Sequence, residues 1–122
     1  MKDENKPKDL RIRTKQFALR IIRLYITLPK STEAQIIGRQ FLRSGTSIGA
    51  HYREAARARS DAEFISKLEV GLQELDETTY WLELCVAAGL VKEPLLKPLM
   101  QEADELIAIL VTMVKNVKRK NS

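Results

Sequence analysis

Apolar residues recur along this chain at intervals of three and four, the spacing that lines one face of an α-helix. Four stretches carry the pattern. In the first, Leu10, Thr14, Phe17, Ile21, Leu24 and Leu28 form a stripe from about Asp9 to Leu28, and Pro29 ends it. The second runs from Ser31 or Thr32 to about Arg57, with Ile37, Phe41, Ile48, Tyr52 and Ala55 on its apolar side. Thr32-x-x-Gln35 at its start resembles a capping box. The third opens at a second such box, Ser60-x-x-Glu63, and Gly89 stops it. Its core face is Phe64, Leu68, Gly71, Leu75, Leu82 and Val86. The fourth runs from about Pro94, a favoured first helical residue, to about Lys118. Leu95, Leu99, Ala103, Leu106, Leu110, Val114 and Val117 give it a core face.

No segment alternates with the period of a strand. The connections are short, roughly 2 to 5 residues, so consecutive helices should lie antiparallel. The pattern predicts an all-α fold: one up-down-up-down four-helix bundle over residues 1–122, with a core of about 9–119 and tails at 1–8 and 120–122. Small residues at Gly45 and Gly49, four apart, offer a place for a neighbouring helix to come close; simple tolerance of glycine is the alternative. Composition agrees with a compact helical domain: 44% apolar and 30% charged residues, with 5 Gly and 4 Pro. The single Cys85 excludes an internal disulfide framework and reads as a buried small hydrophobe. No apolar run reaches membrane-spanning length, and the N-terminal residues lack the apolar stretch of a signal peptide. A cytoplasmic location is the expectation, with no membrane association.

Ile12, Leu19 and Ile26 break the simple picture of helix 1. They are spaced seven apart, on the side away from Phe17 and Ile21. Either they form a subunit interface or helix 1 is sunk more deeply in its own bundle.

Charge changes the picture further. Winding helix 2 at about 100° per residue places Arg39, Arg43, Arg53 and Arg57 within roughly 40° of one line, opposite its apolar side. The net charge of +5 is segregated: +6 over residues 1–30, +3 over 31–60, −6 over 61–90 and +2 over 91–122. An up-down topology collects the start of helix 1 and the ends of helices 2 and 4 at one pole. That pole would hold Lys6, Lys8, Arg11, Arg13, Arg53, Arg57, Arg59, Lys115, Lys118, Arg119 and Lys120. Together with Arg39 and Arg43, its arginines and the four cations of the helix 4 end form a candidate surface for the phosphate backbone of RNA or DNA. The alternative is that these cations pair with Glu69, Asp76 and Glu83 of a neighbouring subunit. Aromatic residues are scarce at the pole, so stacking on single-stranded bases is not indicated.

Catalytic chemistry finds little support. Glu74 and Glu77 share a flank of helix 3, where pairing with Arg39 or Arg43 is expected in place of acid–base work. His51, the only histidine, lies four residues after Ser47, but a Ser–His pair on one helix has no oxyanion hole. There is no Cys/His cluster for zinc and no Gly-rich phosphate loop. The expectation is a protein that is not an enzyme, with no metal and no cofactor. Trp81, on the flank of Glu74 and Glu77, reads as a packing residue against another helix or subunit.

Two stretches carry a family resemblance. One is Gln40-Phe41-Leu42-Arg43-Ser44-Gly45-Thr46-Ser47-Ile48-Gly49-Ala50-His51-Tyr52-Arg53-Glu54-Ala55. The other comprises Glu63-Phe64-Ile65, Lys67-Leu68 and Glu74-Leu75-Asp76-Glu77-Thr78-Thr79-Tyr80-Trp81-Leu82-Glu83-Leu84. Over about residues 15 to 115 the chain resembles the bacterial four-helix-bundle proteins related to those encoded in intervening sequences of 23S rRNA genes. The accessory variability proteins of diversity-generating retroelements belong to the same wider group. The resemblance implies a bundle that assembles into a ring, typically a homopentamer. In the retroelement branch it implies a basic ring that works beside a reverse transcriptase and its template RNA. Many members have Asn where this chain has His51, and Ala-Glu-Gly where it has Arg53-Glu54-Ala55; the added Arg53 enlarges the basic surface.

Overall fold

The computed structural model describes residues 9–121 as four helices: α1 (Leu10–Thr27), α2 (Thr32–Ala56), α3 (Asp61–Ala87) and α4 (Glu93–Lys120). The predicted tail at 1–8 lies outside the described residues. At the other end α4 continues through Lys120, so residues expected to be a tail are helical as far as that residue.

Local chemistry explains most boundaries. The Asp9 side chain accepts from the Arg11 amide at 2.9 Å and caps α1. At α3, the Ser60 hydroxyl accepts from the Glu63 amide at 3.1 Å, and the Glu63 carboxylate reaches back to the Arg59 amide at 3.1 Å. At the other end of α3, Gly89 has φ +74, its amide donates to Val86 O, and the Leu90 amide donates to Cys85 O, both at 3.0 Å. This is a Schellman closure, and glycine adopts that left-handed backbone without steric penalty.

Two expectations are corrected. Thr32 and Gln35 do not form a capping box; Ser31 is the cap residue and makes no side-chain cap bond. The Gln35 amide is used elsewhere. It accepts from Tyr25 Oη at 2.9 Å and donates to Pro29 O at 3.3 Å, tying the end of α1 to the start of α2. On α4, Leu95 is 73% exposed and Leu96 takes its place in the core. Leu96, Ala103 and Leu110 recur every seven residues and fix the inward direction, which turns Leu95 outward.

Each helix packs mainly against its neighbours in sequence, and the contact that closes the bundle, α1 with α4, is the slightest of the four. Phe17 and Ile21 of α1, Phe41 and Ile48 of α2, Leu68, Leu75 and Leu82 of α3, and Leu106 and Leu110 of α4 are fully buried between them. Two close approaches shape the interior. A methyl group on Gly45 would lie 2.8 Å from Ile21 Cγ1, and one on Gly49 would lie 2.9 Å from Thr14 Oγ1. The helix that comes close to these glycines is therefore α1. Between α2 and α3, Ser44 and Thr78 are buried with their hydroxyl oxygens 2.7 Å apart. Thr78 donates to Glu74 O at 2.7 Å, so Ser44 supplies the proton of the shared bond.

Candidate nucleic-acid interface

The arginine stripe of α2 faces solvent along its whole length: Arg39, Arg43, Arg53 and Arg57 are all exposed. Their surroundings differ. Arg43 lies over the acids of α3, with Nη1 3.3 Å from Glu74 Oε2 and Nη2 paired to Glu77 Oε2. Ser47 donates to the same Glu74 carboxylate. Glu74 and Glu77 thus serve as ion-pair partners of Arg43, the role expected in place of acid–base catalysis. His51 Nδ1 donates to Glu54 Oε1 at 3.2 Å, and Lys67 Nζ approaches Glu54 Oε2 at 3.4 Å. The His51 hydrogen bond, followed by the charge of Lys67, holds the Glu54 carboxyl below the usual carboxylate range.

Arg13 does not belong to the exposed set. It is 9% exposed and turned toward α4. Its Nε donates to Glu102 Oε2 at 2.6 Å, and Nη2 donates to Glu102 Oε1 at 2.9 Å and to Glu105 Oε1 at 2.6 Å. The Glu102 hydrogen bond makes this guanidinium more basic than usual, against the opposing effect of burial. A guanidinium so enclosed presents nothing to phosphate. Arg13 therefore drops out of the expected basic pole, while the ends of α2 and α4 do meet there, Ala55, Ala56 and Arg59 lining one cleft with Val117. The first turn of α1 meets α4 at Glu102 and Glu105, and α4 runs on for about 22 Å beyond Glu105 at 1.5 Å per residue.

The cationic end of α4 also meets α3. Lys118 Nζ lies 3.4 Å from Glu69 Oε2, and Lys120 Nζ lies 3.4 Å from Asp61 Oδ2. Lys115 and Arg119 are exposed on the same turns. These surface pairs are weak, on the order of 1 kcal/mol or less, so they leave the tail cationic yet partly neutralised. Arg59 lies at the α2–α3 connection, lining a cleft of about 290 Å³ with Ser60, Asp61 and Phe64.

Arg11, Arg53 and Arg57 come together. With Ala56 they line one cleft of about 260 Å³ between the start of α1 and the end of α2. No carboxylate lines it, and among the described residues none of the three guanidiniums has an ion-pair partner. Arg11 and Arg53 also border a second cleft of about 520 Å³, beside Ile12, Lys15 and Leu19.

That second cleft opens onto the outer face of α1. Ile12 is 48% exposed, Leu19 39% and Ile26 68%, with Ile22 also outside at 37%. The second apolar stripe is therefore not sunk in its own bundle. Ile22 was legible in the spacing of three and four that joins Leu19, Ile22 and Ile26.

Residues 8–112 match the sequence profile of the 23S rRNA-intervening sequence protein family. The chain belongs to that family. A 1.70 Å crystal structure of a protein of unknown function from Bacteroides thetaiotaomicron VPI-5482, assigned to the S23 ribosomal protein family, is similar to it. The two share 36% identity over 88% of this chain and 99% of the other, with a TM-score of 0.82. No curated protein matches.

In this 23S rRNA-intervening sequence protein, the two stretches that carry the family resemblance face each other across α2 and α3. Arg43, Ser44 and Ser47 of the first meet Glu74, Glu77 and Thr78 of the second. Those residues hold the helix pair together, and the bare arginines lie away from them. Trp81 is half-buried and meets Tyr80 edge to face, with ring centroids 5.0 Å apart. Among the described residues no group of His, Cys, Asp or Glu is placed to hold a metal ion, and no helix is long and apolar enough to cross a membrane.

Proposed function

We propose that this member of the family is a non-enzymatic, oligomeric accessory protein that binds the phosphate backbone of RNA or DNA. The observation that carries the reading is the cleft between Arg11, Arg53 and Arg57, which no carboxylate of the described residues lines. Arginines that sit beside acids here are paired, as Arg13 and Arg43 are, whereas these three have no ion-pair partner among the described residues. Arg39, Arg59 and Lys115, with the cations at the end of α4, extend the positive surface. Phosphate attraction of this kind steers and holds a polyanion without reading its sequence. In its finer form the proposal takes the partner implied by the resemblance, a reverse transcriptase with its template RNA, and places the protein in the cytoplasm.

Replacing Arg53, Arg57 and Arg59 by Ala tests it. RNA and DNA binding should weaken alike, and the slope of log affinity against log salt should flatten by about one unit per lost contact. Binding unchanged by the triple substitution, or no binding at low salt, would refute it.

The exposed apolar face of α1 supports a second reading: a homo-oligomeric scaffold, most simply a pentamer, in which the charges serve assembly alone. Glu69, Asp76 and Glu83 are exposed on α3 and could meet α1 cations of a second copy. Light scattering on a sizing column should give several times 13.9 kDa, and Leu19→Glu should dissociate the assembly with helicity retained. If the arginine triple variant breaks the assembly and no nucleic acid binds, the scaffold reading stands in place of the first.

A further inference from the structure

We propose that the Arg11–Arg53–Arg57 cleft is a seat for the terminal phosphate of a nucleic-acid strand. The inference rests on the nucleic-acid reading above and narrows it to one chemical group. Three arginines from two helices line an open cleft of about 260 Å³, with the small Ala56 beside them. That space equals roughly eight or nine waters at ~30 Å³ each, enough for a phosphate group with part of its hydration.

Among the described residues the nearest acids have other partners, although Asp9 lines the adjoining larger cleft with Arg11 and Arg53. The Asp9 carboxylate caps the Arg11 amide, and the Glu54 carboxylate is held toward α3 by His51 and Lys67. Three like charges that no described carboxylate pairs repel one another, and an anion in the cleft reduces that cost. Helix dipoles do not settle the sign here. The positive end of α1 and the negative end of α2 meet at the cleft and offset one another, leaving the guanidiniums to set the potential.

The choice of a terminal over an internal phosphate follows from charge and acceptor number. A phosphodiester within a strand carries one negative charge on two free oxygens. A phosphomonoester carries about −1.5 to −2 at pH 7 and three free oxygens. Guanidinium forks bind phosphate oxygens in pairs, so three of them match the monoester better. The Ala56 side chain leaves the seat open to a group that enters end-on.

The test uses the full chain and one short single-stranded RNA in three forms: 5′-phosphorylated, 3′-phosphorylated, and hydroxyl at both ends. Fluorescence anisotropy at fixed low salt should show one phosphorylated form binding about tenfold tighter than the hydroxyl form, equivalent to about 1.4 kcal/mol. Arg57→Gln and Arg11→Gln should each erase that preference, so that in either variant the phosphorylated strand binds no tighter than the hydroxyl strand does to the same variant. Circular dichroism checks that the variants stay helical; both side chains are exposed, so loss of fold is not expected. Equal binding of all three strands would overturn the seat and leave the nucleic-acid reading standing. No binding of any strand would overturn both. A preference that survives the double Arg11→Gln, Arg57→Gln variant would place the phosphate elsewhere and overturn the assignment. Competition by a nucleoside 5′-monophosphate with the affinity of the strand would show that the seat takes free nucleotide, which overturns the strand-end form.

Discussion

Arg13 grips Glu102 with two parallel hydrogen bonds, Nε to Oε2 at 2.6 Å and Nη2 to Oε1 at 2.9 Å, across the seam between the first helix and the last. Both side chains are about nine-tenths buried, and the pair spans the slightest of the bundle's four helix contacts. Bidentate geometry makes it one of the stronger interactions available to a side chain.

Removing one partner of a buried pair leaves the other charge enclosed. Arg13→Met should therefore destabilise the bundle by about 3 kcal/mol in urea denaturation. The double variant Arg13→Met, Glu102→Leu should recover part of that loss, because it also removes the buried carboxylate that has lost its bidentate partner. Equal stability of Arg13→Met and the parent would mean that the seam is held without the ion pair.

Gly45→Ala sets two effects against each other. Alanine gains roughly 1 kcal/mol of helix propensity over glycine. Its methyl group, however, would meet Ile21 Cγ1 at 2.8 Å and Cδ1 and Cγ2 at 3.1 Å. Ile21 is fully buried and has nowhere to retreat. Overpacking of that kind costs about 1–3 kcal/mol, so a net loss near 1 kcal/mol is expected. A higher melting temperature for Gly45→Ala would show that α1 can move aside.

Cys85 gives a pH dependence. Burial pushes its thiol up to about 11 from an ordinary value of 9.0. The unfolded chain ionises first as pH rises, so the stabilising difference is complete below pH 9.0 and is lost between 9.0 and about 11. Cys85→Ala should flatten this part of the alkaline stability profile. In the native protein at pH 8 the thiol should resist a disulfide reagent and react fully once denatured; rapid native labelling would contradict its burial.

Helix number, order and antiparallel topology were legible because apolar spacing and capping residues speak directly to them. Ser60, Glu63 and Gly89 act at the boundary where they stood in the sequence. Leu95 was misassigned because it and Leu96 both fit a spacing with Leu99, and only tertiary packing chooses between two phases of one helix. Gln35 was drawn from its cap by Tyr25 and Pro29, partners that local spacing does not reveal. The buried hydroxyls of Ser44 and Thr78 escaped notice because each is polar alone and satisfied only across two helices. The candidate site was legible as a stripe on α2, with Arg39, Arg43, Arg53 and Arg57 all outside. Its division was not. Arg13 looked like Arg11 in the sequence, and only the meeting of α1 with the middle of α4 separates an enclosed ion pair from an open cleft.

The order in which these helices touch also bears on how the chain reaches its fold. α1 packs on α2, α2 on α3 and α3 on α4, so nearly all the packing joins segments adjacent in sequence. Loops that small close with little entropy loss, and bundles built this way fold in microseconds to milliseconds. The pairs of Arg13 with Glu102 and Glu105 join residues 89 and 92 apart and are exceptions. Their closure is expected in the last stage of assembly, after the hairpins have formed. Breaking them should therefore speed unfolding and leave the refolding rate unchanged in stopped-flow measurements, which makes these ion pairs the latch of the bundle.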